Sequence, residues 1–282
     1  MNVLLTGATG FVGRQILNAL QDRGATVRLV LRHSSKAEAL PRDLVSTAIR
    51  SDDLFAETVQ WWATQCATID TVVHSAWFVQ PGTYLQSPAN LDCLTGTLNL
   101  AKGATQAGVK RFVGIGTCIE YELSGGYLST QTPLNPTTPY SAAKAAAYLA
   151  LKEWLPTQGC GFAWCRLFYL HGPGEDSRRF VPYLRAKLEA GEPAELTSGN
   201  QVRDFLDVRV AGQMIADVAL SDRQGAVNIC SGTPITIREL AQQIAGQYNR
   251  LDLLRFGARP ENLVDPPVVV GVADSSDNKN QP

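Results

Sequence analysis

The sequence predicts an α/β fold, a doubly wound parallel sheet with helices on both faces and a small C-terminal cap. Short apolar runs alternate with segments of helical periodicity through the first two thirds of the 282 residues. Strands and helices in alternation are joined by right-handed crossovers, which produce a parallel sheet covered on both faces. A glycine-rich segment at residues 6–13, between the first apolar run and the first helical pattern, supports the same fold.

The predicted elements of residues 1–170 follow this alternation. Apolar runs predict strands at Val3–Leu5, Val27–Leu31, Val45–Ile49, Thr71–His74, Phe112–Ile115 and Phe162–Leu167. Apolar residues at helical spacing predict helices at Phe11–Asp22, Leu91–Ala107 and Tyr140–Leu155. Among the strands, Val45–Ile49 has the weakest pattern.

The composition changes after residue 170. Residues 171–204 are rich in Gly, Pro, Arg and Glu around one predicted helix, Phe180–Ala190. The later elements are predicted as a helix at Val208–Ala219, a strand at Ala226–Cys230 and a helix at Thr236–Tyr248 that Thr236 caps. We expect residues 1–170 and 205–232 to form the larger domain, and residues 171–204 and 233–282 the cap, with a frayed polar tail at Asp274–Pro282.

Composition and charge exclude several classes of protein. The net charge of -1 predicts no nucleic-acid partner, because such proteins carry a basic excess. No apolar run approaches the roughly 20 residues that span a bilayer, and the N-terminus lacks a secretory pattern, so we expect a cytoplasmic protein with no membrane partner. Six scattered cysteines predict reduced, mostly buried thiols. Three histidines at unsuitable spacing predict no metal site.

The segment TGATGFVG, from Thr6 to Gly13, has the spacing of a phosphate-binding turn. Gly7 permits the tight turn, Gly10 lets the backbone approach a pyrophosphate, and Gly13 permits close packing of the helix. The helix N-terminus adds free N–H groups and partial positive charge. The turn therefore predicts a dinucleotide cofactor.

The end of the second predicted strand distinguishes NADP from NAD. NAD-binding proteins usually place an acidic residue there for the ribose 2′-hydroxyl. Here Arg32 occupies this region, and Ser34, Ser35 and Lys36 follow it. Arginine forms charge-assisted hydrogen bonds with a phosphate, so we expect NADP(H), with NAD(H) less favoured. The cofactor-binding candidates are Gly7, Thr9, Gly10, Phe11, Val12, Gly13, Arg32, Ser34, Asp53, Leu54, Ser75, Ala76, Tyr140 and Lys144.

Tyr140 and Lys144 are the first candidates for catalysis. They lie four residues apart in a predicted helix, so their side chains share one face. The helix N-terminus and the lysine ammonium would lower the pKa of the phenol from about 10 and let it exchange protons near neutral pH. Thr117 follows the predicted strand Phe112–Ile115, at the edge where a parallel sheet binds ligands. Its hydroxyl would bond a substrate oxygen beside Tyr140.

TGATGFVG, GIGTCIEY and YSAAK, in this order, resemble the extended short-chain dehydrogenase/reductase superfamily, also called the NAD-dependent epimerase/dehydratase family. RLFYLHGPGED, GNQVRDFLDV and GAVNICSGTPITIREL are similar to later segments of that family. The resemblance extends to about Asp274. It implies a Rossmann domain for the cofactor, a substrate-binding cap and a homodimer formed through helices such as Leu91–Ala107 and Tyr140–Leu155.

The resemblance also implies functional residues. The catalytic triad would be Thr117, Tyr140 and Lys144, with Lys144 also holding the nicotinamide ribose. The usual substrates are nucleotide-linked sugars, whose diphosphate Arg203 would bind. The other candidates for substrate binding are Cys118, Tyr169, Arg178 and Arg179.

The residues after Thr117 indicate which reaction to expect. The family's 4,6-dehydratases place Asp and Glu there for water elimination, whereas this chain has Cys118 and Ile119. A 4-ketoreductase or a 4-epimerase remains. Because Arg32 favours NADP, we expect NADPH-dependent reduction of the C4 carbonyl of a nucleotide 4-keto-6-deoxyhexose. GTCIEY, GPGEDSRR and GARPENLVDPP are most similar to CDP-abequose and CDP-paratose synthases.

Three alternatives stay open at this point. The first is a nucleotide-sugar 4-epimerase with tightly bound NAD. The second is an NADP-binding sensor or scaffold without turnover, although such proteins commonly lose the tyrosine or the lysine. The third is a reductase of small carbonyl compounds, which would leave the basic residues of the cap without a phosphate partner.

Overall fold

The structure is a computed structural model that describes residues 1–32, 40–261 and 265–273. The predicted tail Asp274–Pro282 and the candidate Ser34, with its neighbours Ser35 and Lys36, lie outside the described residues. The strands are β1 (Asn2–Thr6), β2 (Thr26–Arg32), β3 (Ile49–Ser51), β4 (Thr71–His74), β5 (Arg111–Thr117), β6 (Tyr127–Leu128), β7 (Gly161–Leu167), β8 (Tyr169–His171), β9 (Ala194–Leu196), β10 (Val202–Asp207), β11 (Gly225–Ile229), β12 (Pro234–Thr236), β13 (Leu254–Phe256) and β14 (Val268–Gly271). The helices are α1 (Phe11–Asp22), α2 (Arg42–Ser46), α3 (Val59–Gln65), α4 (Ala89–Gln106), α5 (Pro139–Thr157), α6 (Phe180–Glu189), α7 (Val208–Leu220) and α8 (Ile237–Gln247).

Seven parallel strands form the main sheet, in the order β11-β7-β5-β4-β1-β2-β3. The order reverses between β1 and β4, so the connections leave these two neighbours in opposite directions. In open α/β sheets a ligand crevice lies outside the carboxyl ends of the strands at this reversal. The predicted doubly wound sheet is therefore confirmed, and the crevice lies beside Thr6 and His74.

Two apolar cores cover the two faces of this sheet. One core contains residues of α1 and α7, such as Leu17 and Ile215, packed on strand residues such as Leu5. The other contains residues of α3, α4 and α5, with Trp62 and Trp164 fully buried. Burial on both faces explains why the strands appear in the sequence as continuous apolar runs.

The predicted strand Val45–Ile49 is wrong in its bounds. Val45 lies in α2, and the third strand starts at Ile49. Leu44 and Val45 pack as one helical turn against the core that contains Leu17. A short apolar run can pack as a helical turn or as a strand, and its pattern does not distinguish them. Helix α3, which the sequence pattern did not predict, lies between this strand and β4.

The part of the chain after β7 adds smaller sheets. Strands β12, β10, β14 and β6 form one sheet that β8 joins through β10, and β13 pairs with β9. Helices α6 and α8 bury Leu184 and Ile244 against residues of β9 and β13. Thr236 caps α8 with Glu239 as its capping-box partner, as predicted. The division into a larger domain and a cap stays a prediction.

Within the three described ranges, no helix is both long and apolar enough to cross a membrane. All six cysteines are buried and free, which confirms the predicted burial of these thiols.

Candidate active site

The glycine-rich turn packs tightly under the first helix. Gly7 has a φ of 77°, and a Cβ there would lie 2.7 Å from the backbone nitrogen of Ala76. A Cβ on Gly13 would lie 2.1 Å from the carbonyl oxygen of Gly7, and one on Gly10 would lie 3.2 Å from the same atom. Only glycine fits at Gly7 and Gly13, which leaves the backbone exposed around the N-terminus of α1. This cradle fits the pyrophosphate of a dinucleotide.

A buried hydrogen-bond relay joins this turn to β4 and α4. His74 lies between Thr6 and Thr97, with Nδ1 2.8 Å from one hydroxyl and Nε2 2.9 Å from the other. Thr97 donates its proton to the Cys93 carbonyl, so it accepts from Nε2–H of His74, and Thr6 donates to Nδ1. Burial lowers the pKa of His74 to about 3 and keeps the ring neutral. The relay fixes the backbone that carries Ser75 and Ala76.

The adenosine end of the predicted cofactor site lies at β2 and β3. Arg32 is exposed at the end of β2, and its carbonyl accepts a hydrogen bond from Arg50 at 3.3 Å. Asp53 accepts a hydrogen bond from the Phe55 nitrogen, and Leu54 is buried in the core that contains Trp62. Arg50 is a second cation at this position that sequence reasoning did not single out.

The predicted cofactor-binding residues Thr9, Phe11 and Val12 lie around the start of α1 and are half-buried.

Helix α5 brings Tyr140 and Lys144 into the same buried region. Thr138 caps the helix by accepting a hydrogen bond from Ser141, so Tyr140 lies in the first turn. Lys144 is 3% exposed, and its Nζ donates to the Ile115 carbonyl oxygen at 2.5 Å. Burial lowers the pKa of Lys144 to about 7. The lysine therefore titrates near neutral pH in this environment.

The expected low pKa of Tyr140 is wrong for this structure. Burial raises the pKa of the phenol well above its usual value. Tyr84, Glu120 and Cys118 raise it further, and Arg179 lowers it. The side chain is only 8% exposed, so loss of hydration outweighs the favourable helix terminus. Tyr140 is consequently held as a neutral phenol.

Thr117 ends β5 and begins the short helical turn Cys118–Glu120. Its backbone nitrogen donates to Oε1 of Glu120 at 2.8 Å. Cys118 is buried among apolar side chains that include Phe168 and Cys230. Burial raises the pKa of its thiol to about 12. Cys118 is thus a neutral thiol. A thiolate there would raise the pKa of the neighbouring phenols of Tyr84, Tyr140 and Tyr169.

The arginines predicted to bind substrate lie in different environments. Arg178 is exposed and forms a two-pronged ion pair with Asp176, at 2.8 and 2.9 Å. Arg179 is the N-cap residue of α6, and its charge lowers the pKa of both Tyr84 and Tyr140. Arg203 is 2% exposed and lies 5.3 Å from the ring of Tyr169. The structure therefore places Arg179 near the phenols of Tyr84 and Tyr140, and Arg203 near that of Tyr169. Arg178 pairs with Asp176 instead.

This arrangement contains a dinucleotide cradle, a Tyr-Lys pair one helical turn apart, and a threonine at the end of the adjacent strand. The sequence profile of the family described as "NAD dependent epimerase/dehydratase family" matches residues 3–230. The chain belongs to this family. Its cofactor is of the NAD(P) type.

Relatives cover nearly the whole chain. A dTDP-6-deoxy-L-talose 4-dehydrogenase (NAD(+)) of Aggregatibacter actinomycetemcomitans is 26% identical over 274 residues, which cover 96% of this chain and 99% of that protein. A dTDP-glucose 4,6-dehydratase of Streptomyces antibioticus is 31% identical over 259 residues, which cover 85% and 75%. The UDP-N-acetylglucosamine 4-epimerase of Methanobrevibacter ruminantium M1, solved with UDP-N-acetylmuramic acid, superimposes with a TM-score of 0.85 at 22% identity, covering 98% and 90%. That superposition confirms the fold of the epimerase/dehydratase family.

Besides Arg50, sequence reasoning missed three residues of this site. Trp77 lies over Lys144, the Tyr84 ring lies 4.9 Å from that of Tyr140, and Glu120 bonds the Thr117 backbone. The position of Trp77 directly after the predicted cofactor-binding residues Ser75 and Ala76 was an available signal. Tyr84 and Glu120 had no comparable signal, because each reaches the site through folding of a connection.

Proposed function

We propose that this protein reduces the C4 carbonyl of a nucleotide-linked 4-keto-6-deoxyhexose, with NADP(H) as its cofactor. The observation that carries the proposal is the combination of a buried, neutral Tyr140 with a segment after Thr117 that has no carboxylate at positions 118 and 119. Carbonyl reduction needs a proton donor at the developing alkoxide, and a neutral phenol is such a donor. Water elimination needs an additional acid and base next to the sugar.

The residues after Thr117 argue against dehydration. Cys118 is a buried neutral thiol, and Ile119 has no ionisable group. The carboxylate one residue later, Glu120, is fully buried and accepts hydrogen bonds from Arg166, Trp164 and Thr117. Both oxygens of this carboxylate are engaged inside the protein, so the group is not available to a substrate.

In the proposed reaction each residue of the triad has a defined role. A bound nicotinamide supplies the hydride that reduces the sugar carbonyl. Tyr140 donates its phenolic proton to the oxygen that becomes the new hydroxyl. Thr117 donates a hydrogen bond to that oxygen and orients it. Lys144 holds the cofactor ribose and, when charged, favours loss of the Tyr140 proton.

The cofactor preference rests on Arg32. Its exposed guanidinium at the end of β2 suits a 2′-phosphate, and Arg50 brings a second cation to the same strand ends. The dehydrogenase relative carries NAD(+) in its name, so the two cofactors must be compared directly. A 4-dehydrogenase and a 4-ketoreductase are the two directions of one reaction, which supports the proposed chemistry.

The decisive experiment follows NADPH absorbance with the purified protein and a panel of CDP- and dTDP-4-keto-6-deoxyhexoses. We expect one NADPH oxidised for each sugar reduced, and little oxidation of NADH. Release of bound NAD on denaturation, with no NADPH consumed by any sugar, would replace this proposal with a 4-epimerase. NADPH binding without turnover of any nucleotide sugar would indicate a sensor or scaffold.

A further inference from the structure

The ammonium of Lys144 is held by one carbonyl and two indole rings. Its Nζ donates to the Ile115 oxygen and lies 3.8 Å from the centroid of the Trp77 ring. The centroid of the Trp164 ring lies 5.8 Å from the same atom. Indole is the aromatic group that attracts cations most strongly, and the attraction increases where water is excluded. The nearer contact, with Trp77, is therefore the stronger one.

Trp77 is itself held in one orientation. Its Nε1 donates to Oδ1 of Asn90 at 2.9 Å, and Asn90 is fully buried. The amide of Asn90 donates in turn to the carbonyl oxygens of Tyr84 and Ser87, at 2.7 and 2.9 Å. Every hydrogen-bonding group of the Asn90 side chain is thus engaged. An indole ring fixed in this way cannot rotate its face away from Lys144 without breaking a buried hydrogen bond.

The same indole also contacts Tyr140. The two rings meet edge to face, with centroids 6.4 Å apart and an angle of 84° between their planes. The indole also meets Phe55 with a similar geometry, at 6.4 Å and 70°. Trp77 therefore contacts both members of the Tyr-Lys pair and is supported from outside that pair.

We propose that Trp77 is a positioning residue of this site, whose locked indole holds the Lys144 ammonium against the Ile115 carbonyl and keeps it in a constant relation to Tyr140. The proposal rests on the proposed function only in the role given to Lys144. The charge of Lys144 depends on its surroundings, since burial lowers its pKa to about 7, while Glu120 and Cys93 raise it. The neutral His74 and the neutral phenol of Tyr140 face the same region.

The test measures the titration of Lys144 in the free protein. The ¹⁵Nζ resonance of Lys144, identified by its loss in Lys144→Arg, is followed against pH in wild type, Trp77→Phe and Trp77→Leu. Phe keeps an aromatic face and Leu does not, although both leave similar space for water. We expect the midpoint to fall in the order Trp, Phe, Leu, by about half a pH unit or more in total. A Leu midpoint equal to or above that of Phe would overturn the proposal.

Trp154 provides the matched control. It lies on α5 ten residues after Lys144, about 15 Å along the helix. Trp154→Phe and Trp154→Leu should leave the midpoint unchanged, and an equal shift in these variants would also overturn the proposal. If Trp77→Leu does not fold, Trp77→Met removes the aromatic face with an unbranched, flexible side chain that fills irregular space.

The affinity for NADPH, measured by calorimetry at several pH values, gives a second test. In Trp77→Leu we expect binding at pH 7.5 to weaken about five- to tenfold more than in Trp77→Phe. If the Lys144 midpoints of the three proteins fall in the expected order but the wild type binds no NADPH, the proposed function is refuted and the assignment of Trp77 stands. Equal NADPH affinities in the Phe and Leu variants would refute the inference that Trp77 positions Lys144 for the cofactor ribose.

Discussion

The carboxylate of Glu120 accepts a hydrogen bond from Nε of Arg166 at 2.8 Å, and the two side chains are 0% and 1% exposed. Trp164 donates to both carboxylate oxygens at 3.1 Å. The guanidinium lies 4.4 Å from the ring centroids of Tyr121 and Tyr148. Because Glu120 also bonds the Thr117 backbone, this buried pair joins β7 to the end of β5 and holds the predicted catalytic threonine.

Removal of the Glu120 charge should destabilise the fold, because the buried charge of Arg166 is then unpaired. Glu120→Gln leaves the buried Arg166 without its counter-charge, and we expect the free energy of unfolding to fall by about 3–5 kcal/mol. Urea denaturation measures this change. The exposed Lys187–Glu192 pair is the control, because solvent screens it and Glu192→Gln should change stability within error. Equal losses in the two variants would contradict the structural role of Glu120.

Gly13→Ala should disrupt the cofactor cradle. The added Cβ meets the backbone oxygen of Gly7, which cannot move without shifting the whole turn. We expect a loss of about 1–3 kcal/mol in stability and no measurable NADPH binding. Gly246→Ala, in α8 with open space around its Cβ, should instead stabilise the protein by about 0.4–1 kcal/mol. NADPH bound by Gly13→Ala with wild-type affinity would place the cofactor elsewhere.

Arg32→Gln should change cofactor selectivity. Loss of charge-assisted hydrogen bonds with the 2′-phosphate should weaken NADPH binding about 10- to 100-fold and leave NADH binding unchanged. Arg28, on the same strand, is the control because its guanidinium bonds the carbonyls of Gln65 and Ala67. Fluorescence or calorimetric titration measures both affinities. A parallel loss for the two cofactors would show that Arg32 does not read the 2′ position.

Tyr140→Phe should lose turnover and keep the cofactor. Removal of the proton donor should lower kcat by about 10²- to 10⁴-fold, with NADPH affinity nearly unchanged. Stopped-flow absorbance with the preferred sugar and calorimetry with NADPH separate the two effects. Tyr127→Phe, at a tyrosine that is 57% exposed, should retain full activity. Turnover comparable to wild type in Tyr140→Phe would refute the proposed role.

Acid should destabilise the fold through His74. Its folded pKa of about 3 lies below the unfolded value of about 6.5, so the unfolded state binds more protons between these limits. The contribution of neutral His74 to the free energy of unfolding is therefore complete above about pH 6.5. It is lost as the pH falls towards 3, by up to about 1.4 kcal/mol per pH unit. Urea denaturation at several pH values should show a smaller slope in His74→Gln. An unchanged slope would mean that His74 is protonated in the folded state.

Much of the fold could be predicted from the sequence because its signals are local. Strands buried on both faces are continuous apolar runs, and the turn at Gly7 and Gly13 requires glycine for its backbone geometry. The spacing of Tyr140 and Lys144 follows from the pitch of a helix. Val45 shows the limit of such signals, because one apolar residue in a short run fits a helical turn as well as a strand.

The environment of the site depends on contacts between distant segments, which no local pattern contains. Trp77 meets Lys144 from the connection after β4 and is held by Asn90 of α4, and Arg166 reaches Glu120 from β7. Arg178 and Arg179 are adjacent and alike in sequence, yet one pairs with Asp176 and the other faces the phenols. The sequence could specify which chemical groups are present in the site. Their hydration, and with it the protonation of Tyr140 and Lys144, is set by the packing around them, because burial changes a pKa more than sequence neighbours do.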